Sequence, residues 1–147
     1  MKVKVQTKGG NHEFESGADE NLLFAGLRNG LTLPYECATG TCGTCRARVL
    51  EGDVELNWTE APGLSYVKQE KREILLCQAK AQGECTLRIP AKVTHQNEVG
   101  KTPGYRSGII ENVSVLTRDV VSFDVVLDAP LTFSAGQFAV LEVADVI

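Results

Sequence analysis

Five cysteines, at positions 37, 42, 45, 77 and 85, are the residues best able to do chemistry in this 147-residue chain. Cys37, Cys42 and Cys45 fall within nine residues, separated by four and then two, and Cys77 follows after a further 31. Thiolates crowded into a polar, glycine-containing loop collect a cation rather than pack as small hydrophobes. Three thiolates from one loop and a fourth from a separate element is the spacing of a [2Fe–2S] site, in which each iron takes two. The residues between them suit that core. Gly40 and Gly43 permit positive φ and close backbone approach, while Thr41 and Thr44 are small and polar, so backbone N–H groups can turn toward sulfur. The metal ligands expected are therefore Cys37, Cys42, Cys45 and Cys77, with the backbone of Gly40, Thr41, Gly43 and Thr44 lining the core. A structural zinc site is the alternative metal reading, but it favours paired knuckles, which neither Cys77 nor Cys85 completes. Cys85 is the alternative fourth ligand. It sits beside a Gln82-Gly83-Glu84 turn, whereas Cys77 ends the apolar run Ile74-Leu75-Leu76 and is better placed to be held rigidly.

The elements that must position these residues are short. Lys2–Thr7 alternates, Lys8-Gly9-Gly10-Asn11 is a turn, and His12–Glu15 alternates again, which predicts a hairpin. Asp19 is a candidate N-cap for one amphipathic helix carrying Leu22, Leu23, Gly26 and Leu27, closed by Gly30. Leu31–Cys45 has no periodicity and reads as the metal loop. Strands are expected at Arg46–Leu50, Glu73–Cys77 and Thr86–Ile89, with an irregular stretch at Val54–Val67 around Trp58 and Pro62. Residues 91–108, rich in Gly, Pro, Gln and Asn, read as a linker. Three further strands, Ile109–Leu116, Val120–Leu127 and Phe138–Val143, predict the start of an antiparallel meander too small to close a barrel. The expectation is an α+β chain that stops inside its second domain.

Composition bounds the partners. Of the net charge of −4, residues 1–95 contribute nothing, with 12 basic and 12 acidic side chains, while residues 96–147 hold 3 and 7. No basic patch announces nucleic acid. The longest apolar run, at Leu22–Leu27, is far short of the ~18 residues of a membrane helix, and no secretory signal opens the chain, so a reducing cytoplasm is expected. His12 and His95 read as solvated side chains, Trp58 as packing rather than as a docking or relay group, and Glu36, Glu51, Asp53, Glu55 and Glu60 as a solvated face that could also steer a basic partner.

Several motifs carry a family resemblance. Through Pro34-Tyr35-Glu36-Cys37, Gly40-Thr41-Cys42-Gly43-Thr44-Cys45, Leu50-Glu51-Gly52 and Leu75-Leu76-Cys77-Gln78, residues 3–90 resemble a plant-type [2Fe–2S] ferredoxin domain. The resemblance implies a β-grasp fold. Phe123-Asp124-Val125 and Phe133-Ser134-Ala135-Gly136-Gln137-Phe138 resemble the opening of the FAD-binding barrel of ferredoxin reductase-type flavoproteins. This order is similar to the NADH-dependent reductase components of bacterial multicomponent oxygenases; Asn57-Trp58 and Ala61-Pro62-Gly63-Leu64 look most like the toluene and phenol monooxygenase branch. The implied organisation is a ferredoxin domain at 1–92, a linker at 93–107 and an N-terminal fragment of a flavin barrel at 108–147. Implied partners are the protein's own tethered FAD and NADH domains and an oxygenase hydroxylase or intermediary ferredoxin. The Arg-x-Tyr-Ser signature for flavin would lie past Ile147, so the 147 residues are expected to hold a cluster and no FAD. A stand-alone ferredoxin with a C-terminal extension is the alternative organisation.

Overall fold

Val3 and Val5 alternate with lysines, so one side of the first strand is apolar and the other is wetted. The computed structural model, which describes residues 1–96, 102–133 and 135–142, buries both valines at 0–1% exposure. This strand, β1 (Lys2–Thr7), pairs antiparallel with β2 (Gly10–Glu15) through the expected turn. Helix α1 (Leu22–Arg28) follows, then a long loop, β3 (Arg46–Glu51), β4 (Val54–Leu56), β5 (Glu73–Leu75), β6 (Ala79–Ala81) and β7 (Cys85–Arg88). Five of these form a mixed sheet in the order β2-β1-β7-β3-β5, in which β1 and β7 run parallel and the other pairs antiparallel. A parallel pair needs a long crossover, and here everything from β2 to β7 supplies it. The metal loop lies on that crossover. Leu22, Leu23 and Leu27 of α1 join Val3, Val5, Ala47, Val49, Ile74 and Leu87 of the sheet in one core, with each fully buried Leu contributing roughly 1.5–3 kcal/mol.

Several sequence expectations are revised here. The helix is capped by Asn21, whose side chain accepts from the Phe24 N–H at 2.9 Å, and not by Asp19, which is 99% exposed and reaches only Lys80 Nζ at 3.8 Å. Both residue types cap well; the chain enters the helix two residues later than expected because Leu22 and Leu23 must both turn inward. Gly30 closes α1 as expected, with its N–H on the Leu27 carbonyl and the Leu31 N–H on the Gly26 carbonyl. Val54–Val67 is more ordered than its composition suggested: β4 pairs with β6, and a 3-10 turn spans Pro62–Tyr66. Strands of three residues carry too little periodicity to be read from sequence.

The first compact unit runs from Met1 to Pro103. Val93, at the start of the expected linker, is fully buried, the Thr94 N–H reaches Thr32 Oγ1 at 2.9 Å, and the Gln96 N–H reaches the Gly30 carbonyl at 2.6 Å. This stretch is therefore packed chain up to Gln96. Residues 97–101 of the expected linker lie outside the described residues. The second unit, Gly104–Ile147, contains β8 (Gly108–Val115) and β9 (Val121–Leu127), paired antiparallel with a bulge near Asn112, whose φ is +52°. The strand expected at Phe138–Val143 is not formed over residues 138–142, and Val143 lies outside the described residues. The β8–β9 ribbon leaves an outer edge on each strand, and residues 138–142 form no ladder with either.

No helix among the described residues is long and apolar enough to cross a membrane. The cap assignment is testable by urea denaturation: Asn21→Ala should cost about 1 kcal/mol of stability, whereas Asp19→Ala should change it little. Equal losses would overturn the assignment.

Candidate metal centre

The loop from Leu33 to Arg46 is built by backbone rather than by side chains. Ala38, Gly40 and Gly43 all adopt positive φ, at +56°, +87° and +76°. This path turns successive amides inward. The N–H groups of Thr39, Thr41 and Cys42 each point at Cys37 Sγ, at 3.4 Å, and the Thr44 N–H points at Cys42 Sγ at 3.5 Å. Partial burial opposes a charge on Cys37, but these amides together with the Thr39 hydroxyl outweigh it and draw the thiol down to about 6. Thr41 and Thr44 thus donate backbone N–H groups to sulfur.

Gly40 and Gly43 are needed for space as well as for φ. A Cβ on Gly40 would stand 2.9 Å from Gln78 Cγ, and one on Gly43 would stand 2.8 Å from Tyr66 Cδ2. The loop is therefore closed from outside by two side chains, Gln78 and the largely exposed Tyr66. The Gly63 N–H adds a bond to the Gly40 carbonyl at 2.8 Å, tying the 3-10 turn to the loop.

Cys45 and Cys77 come from different elements and meet because the sheet puts them together. Cys45 directly precedes β3, and β3 pairs with β5 so that Arg46 faces Leu75. The Leu76 N–H donates to the Cys45 carbonyl at 2.9 Å. Leu75 and Leu76 are fully buried, and Cys77 follows on a one-turn 3-10 helix rather than at the end of a strand. The two sulfurs are 3.4 Å apart. Their shared proton draws Cys45 to about 7 and, with burial, pushes Cys77 well above the ordinary thiol range. Two thiolates on one tetrahedral metal with ~2.3 Å bonds stand about 3.8 Å apart, close to the separation observed. Among the described residues no three His, Cys, Asp or Glu side chains gather round a single point. The sulfurs are arranged instead as a close Cys45–Cys77 pair and a Cys37–Cys42 segment wrapped in amides, a division that suits a two-iron core.

The remaining candidates lie elsewhere. Cys85 is buried in β7 opposite Val3, and burial raises its thiol. His12 is not simply solvated, since its Nε2 lies 3.0 Å from the Val93 carbonyl and its ring meets that of His95 edge-on at 5.4 Å. Trp58 is 44% exposed and is not the packing residue its neighbours suggested. Of the acidic set, Asp53 pairs with Arg72, Glu55 accepts from Gln82 and Glu51 from Thr86. Sequence reasoning missed the amides of Thr39 and Cys42 and the roles of Gln78 and Tyr66. No sequence signal marks Ala38 for positive φ, whereas the position of Gln78 directly after Cys77 was a usable hint.

Comparison with known proteins agrees with this geometry. Residues 5–82 match the family described as the 2Fe-2S iron-sulfur cluster binding domain. The ferredoxin–NAD(P)(+) reductase CarAd of Metapseudomonas resinovorans is 35% identical over 143 residues, covering 97% of this chain and 41% of the relative. The phenol 2-monooxygenase reductase component DmpP of Pseudomonas sp. (strain CF600) is 28% identical over 136 residues, covering 92% and 38%. A solved structure of the ferredoxin reductase in carbazole 1,9a-dioxygenase superposes with a TM-score of 0.75 at 33% identity, over 94% of this chain and 42% of that one. The chain thus spans about two-fifths of the length of these relatives, whose names include a dioxygenase as well as a monooxygenase system. With more than half its length matched and its cysteine loop folded as described, the chain belongs to the 2Fe-2S iron-sulfur cluster binding domain family.

Proposed function

We propose that Cys37, Cys42, Cys45 and Cys77 hold a [2Fe–2S] cluster and that the chain is the electron-carrying part of an NADH-dependent reductase supplying single electrons to an oxygenase. The observation that carries this is the pairing of the Cys45 and Cys77 sulfurs at 3.4 Å beside a Cys37 sulfur that accepts three backbone N–H groups. Bound there, the cluster supplies a one-electron store, the carrier needed between a two-electron hydride donor with its flavin and an oxygenase that takes electrons singly. The chain's own part is to gather four negative thiolates and to compensate their charge with oriented amides, which favour added negative charge and so raise the potential.

The reading extends to the rest of the protein. The ferredoxin unit, read as a β-grasp over 1–92, joins through residues 93–107 to the opening of a flavin barrel over 108–147. Supporting this, β8 and β9 leave Ile109, Val113, Val115, Val121 and Phe123 exposed within their own unit, as strands awaiting barrel neighbours would. FAD and NADH belong to the longer protein, with the oxygenase hydroxylase or an intermediary ferredoxin as electron acceptor and the cytoplasm as compartment. The neutral charge over residues 1–95 favours a tethered module, whose donor is supplied at high effective concentration, over a diffusing carrier steered by a single-sign field.

Three outcomes are expected. The iron-loaded chain should absorb visible light, bleach with dithionite and give an EPR signal of one unpaired electron; a colourless protein holding one zinc would overturn the reading. Cys77→Ser and Gly43→Val should each lose or alter the colour, while Cys85→Ser should keep it. In cluster-free protein, alkylation of Cys37 followed by mass spectrometry should rise through a pH of about 6, because its thiolate forms early, and Cys85 should resist throughout because burial keeps it protonated.

A further inference from the structure

The amides directed at Cys37 and Cys42 belong to the backbone, so their number is set by the path of the loop. Gln78 differs. Its side-chain Nε2 lies 3.9 Å from Cys77 Sγ, within the longer reach of a sulfur acceptor, and among the described residues it is the side-chain amide directed at a cysteine sulfur. Its position is constrained from both ends. The Gln78 carbonyl accepts from the Asn57 N–H at 2.8 Å, and its Cγ, Cδ and Nε2 stand 2.9–3.1 Å from where a Cβ on Gly40 would be. The missing side chain of Gly40 thus leaves a notch, and the carboxamide of Gln78 fills it. The residue is only half-buried, yet its Nε2 is directed at the sulfur of the buried Cys77.

We propose that Gln78 is a positioning residue of the metal centre whose carboxamide, seated in the Gly40 notch, donates an N–H toward the Cys77 sulfur and sets the reduction potential. The inference rests on the cluster assignment above. An electron added to a thiolate-bound iron centre increases the negative charge on the ligand sulfurs, and a donor to one of them favours the reduced form more than the oxidised one because charge-assisted hydrogen bonds are the stronger ones. Backbone donors are shared by any sequence that follows this loop path, whereas a side-chain donor can be lost or replaced by a single substitution. Gln78 is therefore a place where the potential of this module can be set without refolding the loop.

The test uses the iron-loaded full chain and a mediated dithionite titration read by EPR, in which one electron passes from dithionite through the mediator to each protein. Gln78→Met keeps length and packing and removes the donor; it should lower the one-electron reduction equilibrium constant about tenfold, which corresponds to 59 mV. Gln78→Glu keeps shape and adds a negative charge, and its potential should fall further. A second measurement needs no stable variant: pulsed EPR of reduced protein carrying 15N in its glutamine side chains should show a nitrogen coupling, and Gln78→Met should abolish it if that variant assembles. A coloured protein with no such coupling, or a Gln78→Met protein with unchanged potential, overturns the role of Gln78 alone. A colourless unaltered protein overturns the cluster assignment on which it stands.

Discussion

The bond from the Leu76 N–H to the Cys45 carbonyl is the contact on which the metal centre depends. Charged thiolates repel one another, and the weak hydrogen bond between the Cys45 and Cys77 sulfurs acts only at close range, so it cannot by itself bring two residues 32 apart in the chain together. The sheet does so, by pairing β3 with β5 and placing Arg46 opposite Leu75. Burial supports that register: Ala47 and Ile74 stand opposite one another and both are buried. The two sulfurs meet at 3.4 Å because two leucines next to one of them have no other place to go.

The three-cysteine loop solves a different problem. It has almost no apolar content to fold around, so its shape comes from three positive-φ residues and from clamps outside it. Tyr66 lies against Gly43, Gln78 against Gly40, and Gly63 bonds to the Gly40 carbonyl. These clamps derive from the 3-10 turns on either side of β5, elements that give the sequence no periodic signal. Their effect is electrostatic. By keeping the loop coiled they hold the N–H groups on Cys37, which makes that thiol acidic, and deprotonated sulfur is the form that binds metal.

The two units use their apolar residues in opposite ways. In the first, every strand of the large sheet contributes to one core. In the second, the alternating valines and isoleucines of β8 and β9 stay exposed within a two-strand ribbon, an arrangement of marginal stability in isolation. The whole net charge of −4 lies beyond residue 95, so the domain that carries the cysteines is electrically balanced while the ribbon and its flanks are acidic.

The sequence by itself determined the chemistry and the outline. Cysteine spacing pointed to a two-iron site, alternation located β1, β2, β3 and β7, and the leucine stripe located the helix. These are local signals, carried by residues close in the chain. What it could not decide were features that arise only when distant segments meet: the choice of Asn21 over Asp19 as the cap, the pairing of β4 with β6, and the packing of Val93 into the core. The same holds for the third strand of the second unit, where a strand-like pattern forms no ladder with β8 or β9 over residues 138–142. The tertiary structure alone decided which amides reach which sulfur, because the inward turn at Ala38 and the notch filled by Gln78 depend on neighbours up to some forty residues away. Hydrogen bonds and excluded volume act through space, and only the folded chain specifies those distances.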